Sequence, residues 1–248
     1  MRLSQAWIVA TKEFATFTKR KYILYSVFIV PLLVSILLPA VTWYAEQRAK
    51  GTGWTPAEFA TFLPSFAFFF LVLAGVIPAT IASYSIVGEK VEKSLEPLLA
   101  TPSTDSEILL GKGLAAFIPP FASILVGSGI FMALIDLVTY GRLGYYYFPN
   151  WNAVIVLFVM VPLAEILCVE WNVLVSSRVS DVRVAQQAGM LIMLPLAGIY
   201  VSGELSIISL GDSTNLLLIA AAILVVDLLF LSFVREVFSR EQILTRWR

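Results

Sequence analysis

The sequence contains no histidine and one cysteine, Cys168. The first absence excludes His-based catalytic triads and HExxH zinc sites. The second excludes a disulfide within the chain. Charge is scarce as well: Asp, Glu, Lys and Arg make up 14% of the residues, and seventeen basic side chains balance seventeen acidic ones. A net charge of zero carries no bias toward nucleic acid. The phosphate-cradling pattern G-x-x-x-x-G-K-[ST] is missing, because Gly111-Lys112 has neither the earlier glycine nor a following hydroxyl residue. Asp136 and Asp227 lie in apolar runs without the YD and GxGD contexts of an intramembrane aspartyl protease. The expectation is a chain that is not an enzyme and binds neither metal nor cofactor.

What is abundant is apolar surface. Hydrophobic residues are 59% of the chain and the mean hydropathy is +0.87, far beyond a soluble domain. The reading is an all-α integral membrane protein forming one permease-like domain over residues 1–248, embedded in a lipid bilayer. Six segments approach the roughly 20 apolar residues that cross a bilayer. They are Tyr22 to Tyr44, Phe59 to Val87, Leu114 to Val138, Asn152 to Ser177, Val184 to Val201 and Asn215 to Val234. The third begins near Pro119-Pro120. Small residues four apart, Ser123 with Gly127 and Ala185 with Gly189, suit close helix packing.

Residues 1–21 are not a secretory signal, since Lys12 and Glu13 interrupt any apolar run. Trp7, Ile8, Phe14 and Phe17 suggest instead an amphipathic helix lying in the interface. With both termini inside, fourteen of the seventeen Lys and Arg residues face the cytoplasm and only Arg48, Lys50 and Arg142 lie outside. Trp43, Trp54, Tyr145 to Tyr147 and Trp151 then form the outer aromatic belt. A multi-pass protein of the cell membrane with cytoplasmic termini is expected.

Between the second and third spans lies a charged island, Gly88 to Gly113. Val91, Leu95, Leu98 and Leu99 fall on one helical face, with Glu89, Lys90, Glu92, Lys93 and Glu96 around the rest. Thr104 followed by Glu107 is a capping-box signature for the next helix. The run resembles the signature of ABC type-2 transporter permeases, approximately GE-(basic)-x4-LExLLATPxxxxEILLGK. Gly88-Glu89-Lys90, Leu95-Glu96, Leu98 to Pro102 and Glu107 to Lys112 match it, sixteen of the twenty-five positions from 88 to 112. The family's usual Gly-Thr before Leu95 is here Lys93-Ser94, and Pro97 interrupts the Leu-rich turn. Ser176 to Gln187 resembles the family's inner turn between spans four and five.

The resemblance implies an elbow helix at residues 1–21, a cytoplasmic coupling region at 88–113 and a short re-entrant outer segment at 202–213. It also implies two permease subunits, identical or homologous, each docking a separate ABC ATPase that would carry the ATP and Mg. Leu95, Leu98, Leu99, Ala100 and Thr101 would give the ATPase apolar contact, while Glu89, Glu92 and Glu96 would offer it carboxylates.

Acidic residues inside spans are the remaining clue. Glu165, Glu170, Asp136 and Asp227 have no Lys or Arg at matching depth. Ionised and alone they would be costly, so they are protonated, hydrogen-bonded, or facing water or a cation. Asn172 and Ser176 return to the helical face of Glu165, whereas Glu170 stands about 140° away. The stripe through Glu165 and Asn172, with Asp227, marks a translocation path or a partner surface; a protonated Glu165 bonding a neighbouring helix is the alternative. Asp136, near the outer interface, is expected to be solvated. Two other functional classes remain open on the sequence. One is an ion-coupled secondary carrier using Glu165 or Asp227, and the other a non-transporting anchor subunit of a membrane complex.

Overall fold

The computed structural model describes residues 2–48, 56–91, 103–205 and 207–237. All regular structure among them is helical. In chain order the helices are α1 (Leu3–Thr18), α2 (Lys21–Arg48), α3 (Pro56–Ala74), α4 (Ile77–Ser83), α5 (Glu89–Val91), α6 (Asp105–Leu143), α7 (Trp151–Ile155), α8 (Val161–Arg178), α9 (Val182–Gly189), α10 (Met193–Glu204) and α11 (Ser213–Val237). One π turn, Tyr84–Gly88, joins α4 to α5, and another, Val156–Met160, joins α7 to α8.

Six of these stretches are long and apolar enough to cross a membrane: Lys21–Ala45, Leu63–Ser83, Asp105–Gly141, Trp151–Arg178, Val182–Gly203 and Ser213–Val234. The second span is 83% buried by its neighbours, against 28%, 17% and 22% for the first, fifth and sixth. It is therefore the central post, and the apolar flanks of the other three face outward, as a lipid solvent permits. Phe131 of α6 anchors the packing, its ring 5.9 Å from Phe66, 5.6 Å from Phe70 and 5.9 Å from Phe148.

Proline and small residues explain how the first and third spans join. Pro31 lacks an N–H, so the Val27 carbonyl one turn earlier loses its helical donor. Ser123 of α6 supplies the missing bond, its Oγ donating to Val27 O at 2.7 Å. Four residues on, Gly127 lies against Pro31 so closely that a Cβ there would meet Pro31 Cβ at 3.1 Å. In lipid an unmet carbonyl costs several kcal/mol, which makes this exchange a strong packing determinant.

The third span differs from its expected start. Helix α6 does not begin near Pro119-Pro120 but runs through both prolines from Asp105. Its 39 residues extend roughly 58 Å, well beyond a hydrocarbon core of about 30 Å. The excess at the N-terminal end projects past the span, and there Thr104 closes the capping box: Glu107 N donates to Thr104 Oγ1 at 3.3 Å and Thr104 N to Glu107 Oε2 at 3.0 Å.

The outer segment 202–213, expected to be re-entrant, holds no helix between Glu204 and Ser213 among the described residues. The chain turns sharply there. Ile207 N and Ile208 N both donate to Ser202 O, and Leu210 packs into the space left by Gly203, where a Cβ would sit 2.1 Å from Leu210 Cδ1.

Candidate functional site

Helix α1 lies across the protruding base of α6. Its inward stripe is Ala6, Val9, Ala10, Glu13 and Phe17, all buried, at the spacing of one helical face. Leu3, Trp7 and Ile8 remain exposed, so the helix carries one apolar face toward the bundle and a second away from it. The crossing is close because of Gly111: a Cβ there would stand 2.5 Å from Ala6 O and 2.7 Å from Val9 Cβ. Arg2 N donates to Glu107 Oε1 at 2.6 Å, fixing the start of α1 on the start of α6.

Under this crossing sits a charged cluster. Lys112, one residue past the crossing glycine, is only 3% exposed. Its Nζ lies 2.9 Å from Glu13 Oε1 and 2.7 Å from Glu89 Oε2, and it donates to Ser85 O at 2.6 Å. The ammonium donates to Glu13 Oε1 and to Ser85 and meets Glu89 as an ion pair. Ser85 Oγ donates to Glu13 Oε2 at 3.2 Å, and Lys12 Nζ donates to Glu89 Oε1 at 2.6 Å from a half-exposed position. Two lysines and two glutamates balance one another. Burial alone would raise the Glu89 carboxyl, but the Lys112 charge and hydrogen bonds from Lys112 and Lys12 outweigh it and hold Glu89 below the usual carboxylate range.

Local structure creates the cluster. The Ser85 carbonyl that accepts from Lys112 lies within the π turn Tyr84–Gly88. Glu89 follows that turn directly and is buried. The cluster thus binds three separate pieces of chain: α1, the exit of the second span and the entrance of the third. Glu89 stands three residues before the segment 92–102 and Lys112 ten residues after it, so the cluster ties together the two elements that flank that segment.

The expected site residues divide into three groups. Glu89 is described and buried, its two oxygens facing Lys112 and Lys12, so its carboxylate is used inside the chain rather than offered outward. Glu92, Leu95, Glu96, Leu98, Leu99, Ala100 and Thr101 lie outside the described residues. Glu165, Asn172 and Asp227 lie inside the spans, away from the cluster.

Asn172 is wholly buried and committed to packing. Its Oδ1 accepts from Ser83 Oγ at 3.0 Å and its Nδ2 donates to Cys168 O at 2.8 Å. Gly189 abuts it, and a Cβ there would stand 2.0 Å from Asn172 Oδ1. Cys168 Sγ in turn donates to Gly75 O at 3.2 Å, where the second span breaks between α3 and α4. Glu165 is 0% exposed and Asp227 5%. Neither carboxylate has a hydrogen-bond partner among the described residues.

Asp136 corrects the expectation of a solvated side chain. It is 6% exposed, and its oxygens accept from Tyr147 N and Phe148 N at 3.1 Å. The loop after α6 returns over the helix end and leaves two backbone donors in need of an acceptor, which Asp136 provides.

Lys12, Glu13, Ser85 and Lys112 were not singled out as site residues from the sequence. A signal for Glu13 does exist, since it falls on the same helical face as Ala6, Val9, Ala10 and Phe17. A carboxylate on an otherwise apolar stripe is costly when alone, so a compensating group opposite it is expected.

A family described as ABC-2 family transporter protein matches residues 13–182. The match starts at Glu13 of the cluster, includes Ser85, Glu89 and Lys112, and ends at the N-terminal residue of α9. No curated protein matches the chain. The match covers more than half of the sequence and agrees with six membrane-spanning stretches and the GEK to LLGK signature; the chain belongs to the ABC-2 family of transporter proteins, as a membrane permease.

Proposed function

We propose that this chain is the permease subunit of an ATP-binding cassette exporter, paired with a second permease and driven by separate ATPase subunits. ATP and Mg would be held by those partners. The carrying observation is the buried cluster of Glu13, Glu89 and Lys112, which ties together the elements flanking segment 92–102. A segment that must transmit force needs roots that do not slip, and ionic contacts among α1, α5 and α6 supply them. The ATPase would dock from the cytoplasmic side on Leu95, Leu98, Leu99, Ala100 and Thr101, with Glu92 and Glu96 as flanking carboxylates. Both termini would face the cytoplasm, in the cell membrane. ATP-driven closure of the ATPase pair would move segment 92–102 and, through the cluster, α1 and α6. Such coupling requires contacts that differ between two states.

The test is reconstitution of the chain with its ATPase in vesicles. ATP turnover should rise with the permease present, and Leu98→Asp with Leu99→Asp should abolish that rise while insertion is retained. Flux driven by an imposed ion gradient without any ATPase would overturn the reading in favour of a secondary carrier. Stable assembly with no flux under either condition would identify an anchoring subunit instead.

A further inference from the structure

A groove of 310 Å³ runs between α8 and α11, lined by Trp171, Leu174, Val175, Arg178, Phe230 and neighbouring apolar residues. It opens outward beside Leu229 and Phe233, which are 65% and 49% exposed, on a span that its neighbours barely cover. Its floor is preformed. The Trp171 and Phe230 rings lie 6.0 Å apart, and Trp171 is held by its Nε1, which donates to Ala188 O at 2.8 Å.

Among the described residues, one charge marks the groove, Arg178. Arg178 is the last residue of α8 and of the fourth span, so its guanidinium stands at the membrane boundary, above the apolar lining. It forms no hydrogen bond or ion pair with any described residue. Asp181, three residues on, accepts from Arg183 N and Val184 N through Oδ1 and caps α9. An arginine in this position presents a planar set of donors suited to a phosphate.

We propose that this groove is a binding site for one anionic phospholipid, with an acyl chain against Trp171, Phe230 and Phe233 and the headgroup phosphate on Arg178. The apolar contact gives little selectivity, because the chain leaves one hydrocarbon environment for another. Selection by charge must come from Arg178. The groove between α2 and α6, lined by Pro39, Trp43, Gln47 and Leu137 among others, has no charged residue among its described lining residues; it provides an internal comparison that should select headgroups less.

The experiment is native mass spectrometry of the full-length chain released from nanodiscs holding equal amounts of phosphatidylglycerol and phosphatidylcholine with the same acyl chains. One phosphatidylglycerol per chain should be retained about fivefold over phosphatidylcholine, the ratio expected from one basic residue at an anionic surface. Arg178→Gln should bring the ratio to parity. Leu229→Trp, which fills the groove from an exposed position, should lower retention of both lipids. Arg183→Gln, on the exposed side of α9, should leave the preference intact. Equal retention by the unaltered chain would overturn the proposal. So would loss of preference in Arg183→Gln equal to that in Arg178→Gln, or capture of a second copy of this chain by a photocrosslinker at Phe233. Should Arg178→Gln fail to accumulate, the unaltered chain and Leu229→Trp decide the question alone.

Discussion

Lys112 Nζ lies 2.9 Å from Glu13 Oε1, joining the base of the third span to a helix ninety-nine residues earlier. Both side chains are almost fully buried. Removing one member of such a pair is costly because the other charge stays behind without its counterion.

Lys112→Met should therefore destabilise the chain by roughly 3–5 kcal/mol, since Glu13 and Glu89 would be left facing each other. Glu13→Gln added to Lys112→Met should restore part of the loss, giving a coupling energy of at least about 1 kcal/mol between the sites. Thermal unfolding of the full-length chain in detergent would measure both. Melting of Lys112→Met together with the unaltered chain would remove the cluster as a structural root.

Glu89 gives the cluster a pH dependence. Its folded carboxyl is held below the ordinary value of 4.5 by Lys112 and Lys12 despite burial. A depressed folded value means the contribution is fully present above the ordinary value and disappears as pH falls through the folded one. Stability should thus decline below about pH 4.5. Glu89→Gln should cost most near neutrality and little at the acid end, narrowing the gap between the two melting curves. Parallel curves across the whole range would exclude Glu89 as the titrating group.

Gly111 sets the distance between α1 and α6. A methyl group added there would press on Ala6 O at 2.5 Å and Val9 Cβ at 2.7 Å, and a backbone carbonyl cannot swing aside. Gly111→Ala should cost about 1–3 kcal/mol by overpacking. The damage should be local: faster hydrogen exchange in residues 3–18, with the central second span unchanged. Uniform exchange across all helices would mean that α1 does not dock independently of the bundle.

Much of this arrangement could be read from the sequence, for specific reasons. Spans are set by length and hydropathy, which are one-dimensional, so five of the six crossings agree closely with their expected positions, while the third starts earlier, at Asp105. The capping box at Thr104 and Glu107 is equally local, its partners three residues apart. The partner of Glu89 was not legible. Its motif places a glutamate at one end and Lys112 at the other, but nothing local says that the two meet or that Glu13 completes the set. Asp136 was misread for a related reason: its acceptors' donors belong to a loop eleven and twelve residues on, and apolar surroundings alone do not reveal them. The prolines at 119 and 120 point to a helix start by propensity, yet a buried helix with neighbours on several sides tolerates them.

The contact between Gly189 and Asn172 gives the sharpest test of how the fourth and fifth spans are joined. Ala185 with Gly189 reads in the sequence as a small-residue pair, and the structure shows what the missing side chain accommodates. Asn172 occupies the space, bridging Ser83 of α4 and the Cys168 carbonyl of its own helix. With a Cβ at position 189 only 2.0 Å from Asn172 Oδ1, Gly189→Ala must turn the amide away and strand the Ser83 hydroxyl. Unmet polar groups at this depth cost about 1–3 kcal/mol each, so Gly189→Ala should lower the melting temperature clearly. Asn172→Ala removes the obstruction along with the bond. The double substitution should therefore be less damaging than the sum of the two single ones, with a coupling of at least about 1 kcal/mol. Strict additivity in a double-mutant melting series would mean that the two helices separate enough for Asn172 and Gly189 to be independent. The fifth span would then be free to move relative to the fourth.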